Sequence, residues 1–237
     1  MSWGWISAVG CRIMIFYCDE INEISEELYD RLYSYLPQER QIKILKMLKK
    51  EHRYQSLIAY WLLVYAIQKR SGALIRVEFE YSKYNRPLLK DTHFKFSFTH
   101  SENFVACALS ESEIGIDAER LTECTEGMAK LVFGEREITE WKNMLEKADK
   151  DEYFTAAWTK KESVLKYKSL GLQGNLKEVD LGGKTGSWFD QKTGLYVETK
   201  RQNDRFVSIC SEEEKHVFYN VSISEIEKIM KMMEETG

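Results

Sequence analysis

The chain has 237 residues, 43% hydrophobic and 30% charged, with a formal net charge of −4. That length and balance suit one large or two abutting globular domains with a sizeable core. The mild acidity excludes a global pull toward nucleic acid or membrane, so any anion site must be local.

The N-terminal stretch "MSWGWISAVGCRIMIFY" has no basic start, and Arg12 cuts an apolar run already too short to span a bilayer. We read it as an extension before a buried strand, Arg12–Cys18, with Met14 as an alternative start. Cysteines at 11, 18, 107, 124 and 210 are odd in number and make no CxxC or Cys/His spacing. A reduced, cytoplasmic protein fits this better than a disulfide framework or zinc site.

Leu28, Leu32 and Leu36 predict a helix over Ser25–Leu36, stopped at Pro37. A helical pattern then runs from Gln38 to Lys69, with a break near Lys50–Glu51. Its first part carries Arg40, Lys43, Lys46 and Lys50 on a basic stripe, the pattern of a solvated face. Its second part, "LIAYWLLVYAI", is apolar nearly all round and predicts a central buried helix. Strands follow at Val77–Tyr81 and Phe94–Phe98, with a turn at Asn85-Arg86-Pro87. Further strands are expected at Phe104–Leu109 and Glu113–Glu119, then helices at Gly127–Phe133 and Glu135–Lys147. After a helical segment from Phe154 to Leu172 come strands at Leu195–Lys200, Phe206–Ser211 and Val217–Val221, and a helix from Ser224. The aromatic helices from Tyr54 and Tyr153 each precede a similar strand ("FVACALS", "FVSICSE") at a similar interval. That repeat suggests a duplicated α+β unit.

In "EIGIDAE", strand alternation puts Gly115, Asp117 and Glu119 on one face. Carboxylates at i and i+2 stand about 7 Å apart at Cα. They can converge on a hard cation such as Mg²⁺, with Gly115 leaving room for a ligand, or simply edge a solvent-exposed turn. His100, flanked by Thr99 and Ser101 after the Phe94/Phe96/Phe98 strand, suits either a structural role or phosphate recognition. Trp158, Glu162 and Lys166 fall on one helical stripe, where Glu162 and Lys166 have the favoured order for a surface ion pair.

Taken together, "FSFTHS" (Phe96–Ser101), "NRP" (Asn85–Pro87), "GIDAE" (Gly115–Glu119), "FGERE" (Phe133–Glu137) and "WTKKESVLK" (Trp158–Lys166) resemble the long, single-chain 4′-phosphopantetheinyl transferases. The chain departs from the family pattern at Ser97, where an asparagine is usual, at Asn85 and Arg86, and at Gln55, where an arginine is common. The resemblance implies an α+β fold of two similar halves, residues 1–110 and 111–237, each a small antiparallel sheet packed on a long helix and related by a pseudo-two-fold. It implies a cytoplasmic monomer that moves 4′-phosphopantetheine from coenzyme A to a serine of an acyl or peptidyl carrier protein, releasing adenosine 3′,5′-bisphosphate. Mg²⁺ would be held by Asp117, Glu119 and Glu162, with Glu162 or a nearby water as general base. Lys166, His100 and Lys161 would face the phosphates, and Thr99, Arg40, Lys43, Arg86 and Pro87 are further coenzyme A candidates. Two other readings stay open: a different Mg²⁺-dependent enzyme acting on a nucleotide pyrophosphate, and a degenerate coenzyme A-binding module.

Overall fold

The computed structural model describes residues 12–84, 86–170, 174–191 and 193–236. The N-terminal extension, Asn85 of the expected turn and the end of the helical segment beyond Leu170 lie outside them. In chain order the elements are β1 (Ile13–Cys18), α1 (Glu26–Ser34), α2 (Gln38–Leu45), α3 (Lys50–Ser71), β2 (Phe79–Tyr81), β3 (Pro87–Leu89), β4 (Lys95–Ser101) and β5 (Phe104–Ser110). There follow β6 (Ile114–Arg120), α4 (Glu126–Val132), α5 (Glu135–Asn143), α6 (Lys147–Tyr167), β7 (Gly186–Asp190), β8 (Leu195–Gln202), β9 (Arg205–Ser211), β10 (His216–Asn220) and α7 (Ile223–Thr236). The fold is α+β, as expected, and divides into two compact units.

Among the described residues, the first unit comprises Arg12–Tyr81, Pro87–Glu111 and Lys215–Thr236. Its sheet runs β10-β1-β5-β4, antiparallel except for the parallel pair of β1 with β10, in which Ile15 lies opposite Phe218. Helix α3 packs on β5 and β1. Leu57, Ile58, Trp61, Leu62 and Leu63 are wholly buried, each removal from water worth about 1.5–3 kcal/mol for an aliphatic side chain of this size. Polar groups brought in with them are answered: Trp61 Nε1 donates to the Leu32 carbonyl at 3.2 Å and Tyr60 Oη to that of Val77 at 3.2 Å. Ser25 caps α1 by accepting from the Leu28 amide at 3.1 Å. Gly72, at φ +73°, closes α3 in the left-handed conformation that costs glycine little. The long helical pattern from Gln38 is two helices, interrupted between Leu45 and Lys50.

The second unit comprises Ser82–Arg86 and Ser112–Glu214. Its sheet, β6-β9-β8-β7, is antiparallel throughout. Helix α6 lies across β6 and β9. A buried hydroxyl ladder ties them: Ser208 Oγ donates to Thr159 Oγ1 at 2.9 Å, and Thr199 and Ser208 share a hydrogen bond at 2.7 Å. Beside it Phe133 meets Tyr153 and Phe154 edge-on, with centroids 5.6 and 5.7 Å away.

Candidate active site

Where α6 crosses β6, the contact is backbone on backbone. A Cβ on Gly115 would stand 1.9 Å from the Ser163 carbonyl oxygen and 2.6 Å from the Tyr167 amide nitrogen. Glycine is therefore required by helix–strand packing, which corrects the expectation that it leaves room for a ligand. The same close approach brings Asp117 and Glu119 under Glu162 and Lys166, because all four lie on the facing sides of the two elements.

Lys166 Nζ is 2.7 Å from Asp117 Oδ1 and donates to the Ile116 carbonyl at 3.0 Å. The Glu162–Lys166 stripe is thus no self-contained surface pair: its lysine reaches across to the strand. Asp117 is buried. Burial raises the Glu119 carboxyl to about 7, with repulsion from Asp117 and Glu162 adding to it and Lys166 opposing. Burial and Asp117 likewise raise Glu162, while Lys166 and a hydrogen bond from Trp158 act against the shift. Among the described residues, no three His, Cys, Asp or Glu side chains are gathered tightly enough to hold a metal ion. Instead the Lys166 ammonium sits on Asp117 as the local counter-charge. The donor chemistry still fits a hard divalent cation: three carboxylates within electrostatic reach, two with raised proton affinity, form a site that gains by binding positive charge.

Lys161 needs correction. Expected to face phosphates, it is fully buried, with Nζ 2.5 Å from Glu137 Oε2 and 2.9 Å from the Leu176 carbonyl. Glu137, also fully buried, accepts from the amides of Gly134 at 3.1 Å, Leu181 at 3.2 Å and Gly182 at 2.9 Å. This pair pins the start of α5 and the 181–182 loop to α6. Lys160 is buried as well, donating to the carbonyls of Gly182 and Lys184, and burial pushes its ammonium down to about 8. The family resemblance drew Glu137 and Lys161 from two separate motifs; nothing in either motif said that they pair.

The other candidates have surroundings of their own. Arg86 is ion-paired to Glu113 at 2.9 Å and donates to Ser169 Oγ. In the first unit, Pro87 opens β3 opposite Tyr81, Thr99 is buried, and His100 is exposed near the end of β4 with the His52 ring 6.2 Å away. Lys43 is exposed beside the Tyr81 ring. Arg40 does not belong to the solvated face: it is buried over Phe79, its Nη2 donating to the backbone and side-chain oxygens of Ser56 at 3.0 Å. Gln55, where the family often has arginine, is buried and donates to the Glu102 carbonyl at 2.7 Å.

Residues 113–210, which hold the strand–helix cluster, match the 4′-phosphopantetheinyl transferase superfamily. The chain is 32% identical to the 4′-phosphopantetheinyl transferase Sfp of Bacillus subtilis (strain 168), over 63% of this chain and 67% of that one. It is 31% identical to another 4′-phosphopantetheinyl transferase of Bacillus subtilis, over 68% and 71% of the two chains. The chain belongs to the 4′-phosphopantetheinyl transferase superfamily. A third relative, the 4′-phosphopantetheinyl transferase gsp of Aneurinibacillus migulanus, is 28% identical over 64% of this chain and 63% of its own. The superfamily match takes in Asp117, Glu119, Glu162 and Lys166, and equally the buried Glu137–Lys161 pair; His100, Arg40 and Lys43 fall outside it. Among the described residues, no helix is long and apolar enough to cross a membrane.

Proposed function

We propose that this chain transfers the 4′-phosphopantetheine group of coenzyme A to a serine of an apo carrier protein. The serine Oγ would form a bond to the pantetheine-bearing phosphorus, the pyrophosphate P–O bond would break, and adenosine 3′,5′-bisphosphate would leave with the electron pair. The observation that carries this reading is the set of Asp117, Glu119 and Glu162 around Lys166 on the β6–α6 contact, within the span matching the superfamily.

Each residue has a role suited to its surroundings. Asp117, Glu119 and Glu162 would hold Mg²⁺, which when bound offsets negative charge on the pyrophosphate oxygens. Glu162, its proton affinity raised by burial, or a water bonded to it, accepts the serine proton as general base. Lys166 presents an ammonium beside these carboxylates and bonds a phosphate oxygen as coenzyme A enters. His100, with Thr99, Lys43, Arg86 and Pro87, would contribute to coenzyme A recognition. Arg40 contributes by holding α2 against α3 through Ser56. The two sheet-and-helix units, with the chain crossing from one to the other near residue 110 and returning at Lys215, would be related by a pseudo-two-fold, and the enzyme would act as a cytoplasmic monomer. Calorimetric titration of coenzyme A into parent and His100→Ala protein tests the recognition half. Weakened binding with unchanged melting supports it; unchanged binding with lost stability removes His100 from the site.

A further inference from the structure

Helix α2 buries Arg40 and Ile44 toward the first unit's core. Its outer side is unusual. Ile42, Leu45 and Leu48, on α2 and the turn after it, are 47%, 61% and 97% exposed. Single exposed apolar residues are common and need no explanation, but a run of them in one patch does. Lys43, Lys46 and Lys49 are interleaved with them, all exposed and none in an ion pair among the described residues. Neighbouring Lys50 is paired to Glu26 at 2.8 Å, and Glu39 is the one carboxylate within α2. In a chain of net charge −4, this is a concentrated basic and apolar face.

We propose that this face docks the carrier-protein substrate through an acidic surface that presents an apolar patch. The inference rests on the transfer reading above, in which one substrate is itself a protein and must be held by more than its reacting serine. Charge complementarity selects the partner: unpaired lysines framing leucines and an isoleucine match carboxylates framing apolar side chains, and speed encounter with such a surface. A membrane fits less well. The patch is three residues on an eight-residue helix and the turn after it, with no aromatic anchor, whereas helices that lie in a bilayer interface are generally longer and carry such anchors.

The test uses the full chain, an apo carrier protein and coenzyme A, with two double variants outside the proposed chemistry: Lys46→Glu/Lys49→Glu and Leu45→Ser/Leu48→Ser. Both are expected to melt like the parent and to keep its kcat and coenzyme A affinity. The charge-reversed variant should raise the carrier KM about tenfold or more at low salt and lose the parent's rise of KM with salt. The serine variant should raise KM several-fold with that salt response intact. A carrier whose acidic residues are reversed to lysine should recover activity with the charge-reversed enzyme. Unchanged carrier KM in both variants, with the parent active, overturns the docking face and leaves the transfer reading standing. A parent that modifies no carrier overturns both. With KM unchanged, two further results would reassign the face: sedimentation with anionic phospholipid vesicles lost on charge reversal points to membrane, and self-association lost in the serine variant points to a second copy.

Discussion

Removing one member of the Lys161–Glu137 pair separates a structural role from a catalytic one. Both side chains are fully buried 2.5 Å apart, and breaking such a pair by deleting one partner costs about 3–5 kcal/mol. Glu137→Leu also strands the amides of Gly134, Leu181 and Gly182, each unsatisfied donor adding about 1–3 kcal/mol before relaxation. Lys161→Met leaves those three bonds in place and strands the Leu176 carbonyl. Glu137→Leu is therefore the more damaging, and the double variant should be more stable than Glu137→Leu alone, since replacing both charges by apolar groups is near neutral. At about 2–4 °C per kcal/mol for a chain of this size, Lys161→Met should lower Tm by roughly 10 °C. Thermal melts of the four proteins, with coenzyme A titrated into each folded sample, are the assay. Melting within 2 °C or so of the parent, with coenzyme A binding abolished, would refute the structural assignment and return Lys161 to the phosphates.

Gly115→Ala places a methyl 1.9 Å from the Ser163 carbonyl, so α6 must lift from β6; urea titration should show a loss of several kcal/mol, and a change under about 0.5 kcal/mol would contradict the packing. Asp117→Asn should fold normally yet transfer phosphopantetheine at least 100-fold more slowly, because it removes a carboxylate from the proposed cation site; a parent-like rate would put that site elsewhere. Glu119 titrates near 7 in the fold against 4.5 for the free side chain, so the native state holds its proton longer than the unfolded chain. The metal-free parent should accordingly lose about 2–3 kcal/mol of stability as pH rises from 4.5 to 7; Glu119→Gln should flatten that fall in pH-dependent denaturation, and an unaltered slope would contradict the shift.

Much of this was legible because local pattern and long-range packing agree. The α3 run is apolar on every side and is wholly buried over most of its length. The alternation in "GIDAE" and the spacing of Glu162 and Lys166 each marked the face that the β6–α6 contact brings together. What escaped depends on partners distant in sequence. Lysines 160 and 161 look like surface charges until Glu137 and the 182–184 carbonyls are placed beside them. Gly115 is explained only by a helix backbone far along the chain. Strand β7 is an edge with mostly exposed residues and no buried alternation to betray it, and β3 is three residues long. The end of α2 has neither proline nor glycine, so the expected break near Lys50–Glu51 falls a few residues late: α2 ends at Leu45 and Lys50 opens α3.

The most direct measurement is mass spectrometry of apo carrier proteins after incubation with the enzyme, coenzyme A and Mg²⁺, with parallel reactions in chelator and with Asp117→Asn. The expected result is a gain of one phosphopantetheine on one carrier serine, with stoichiometric adenosine 3′,5′-bisphosphate, and no gain in chelator. Coenzyme A bound or cleaved by the folded enzyme with every carrier left unmodified would contradict it.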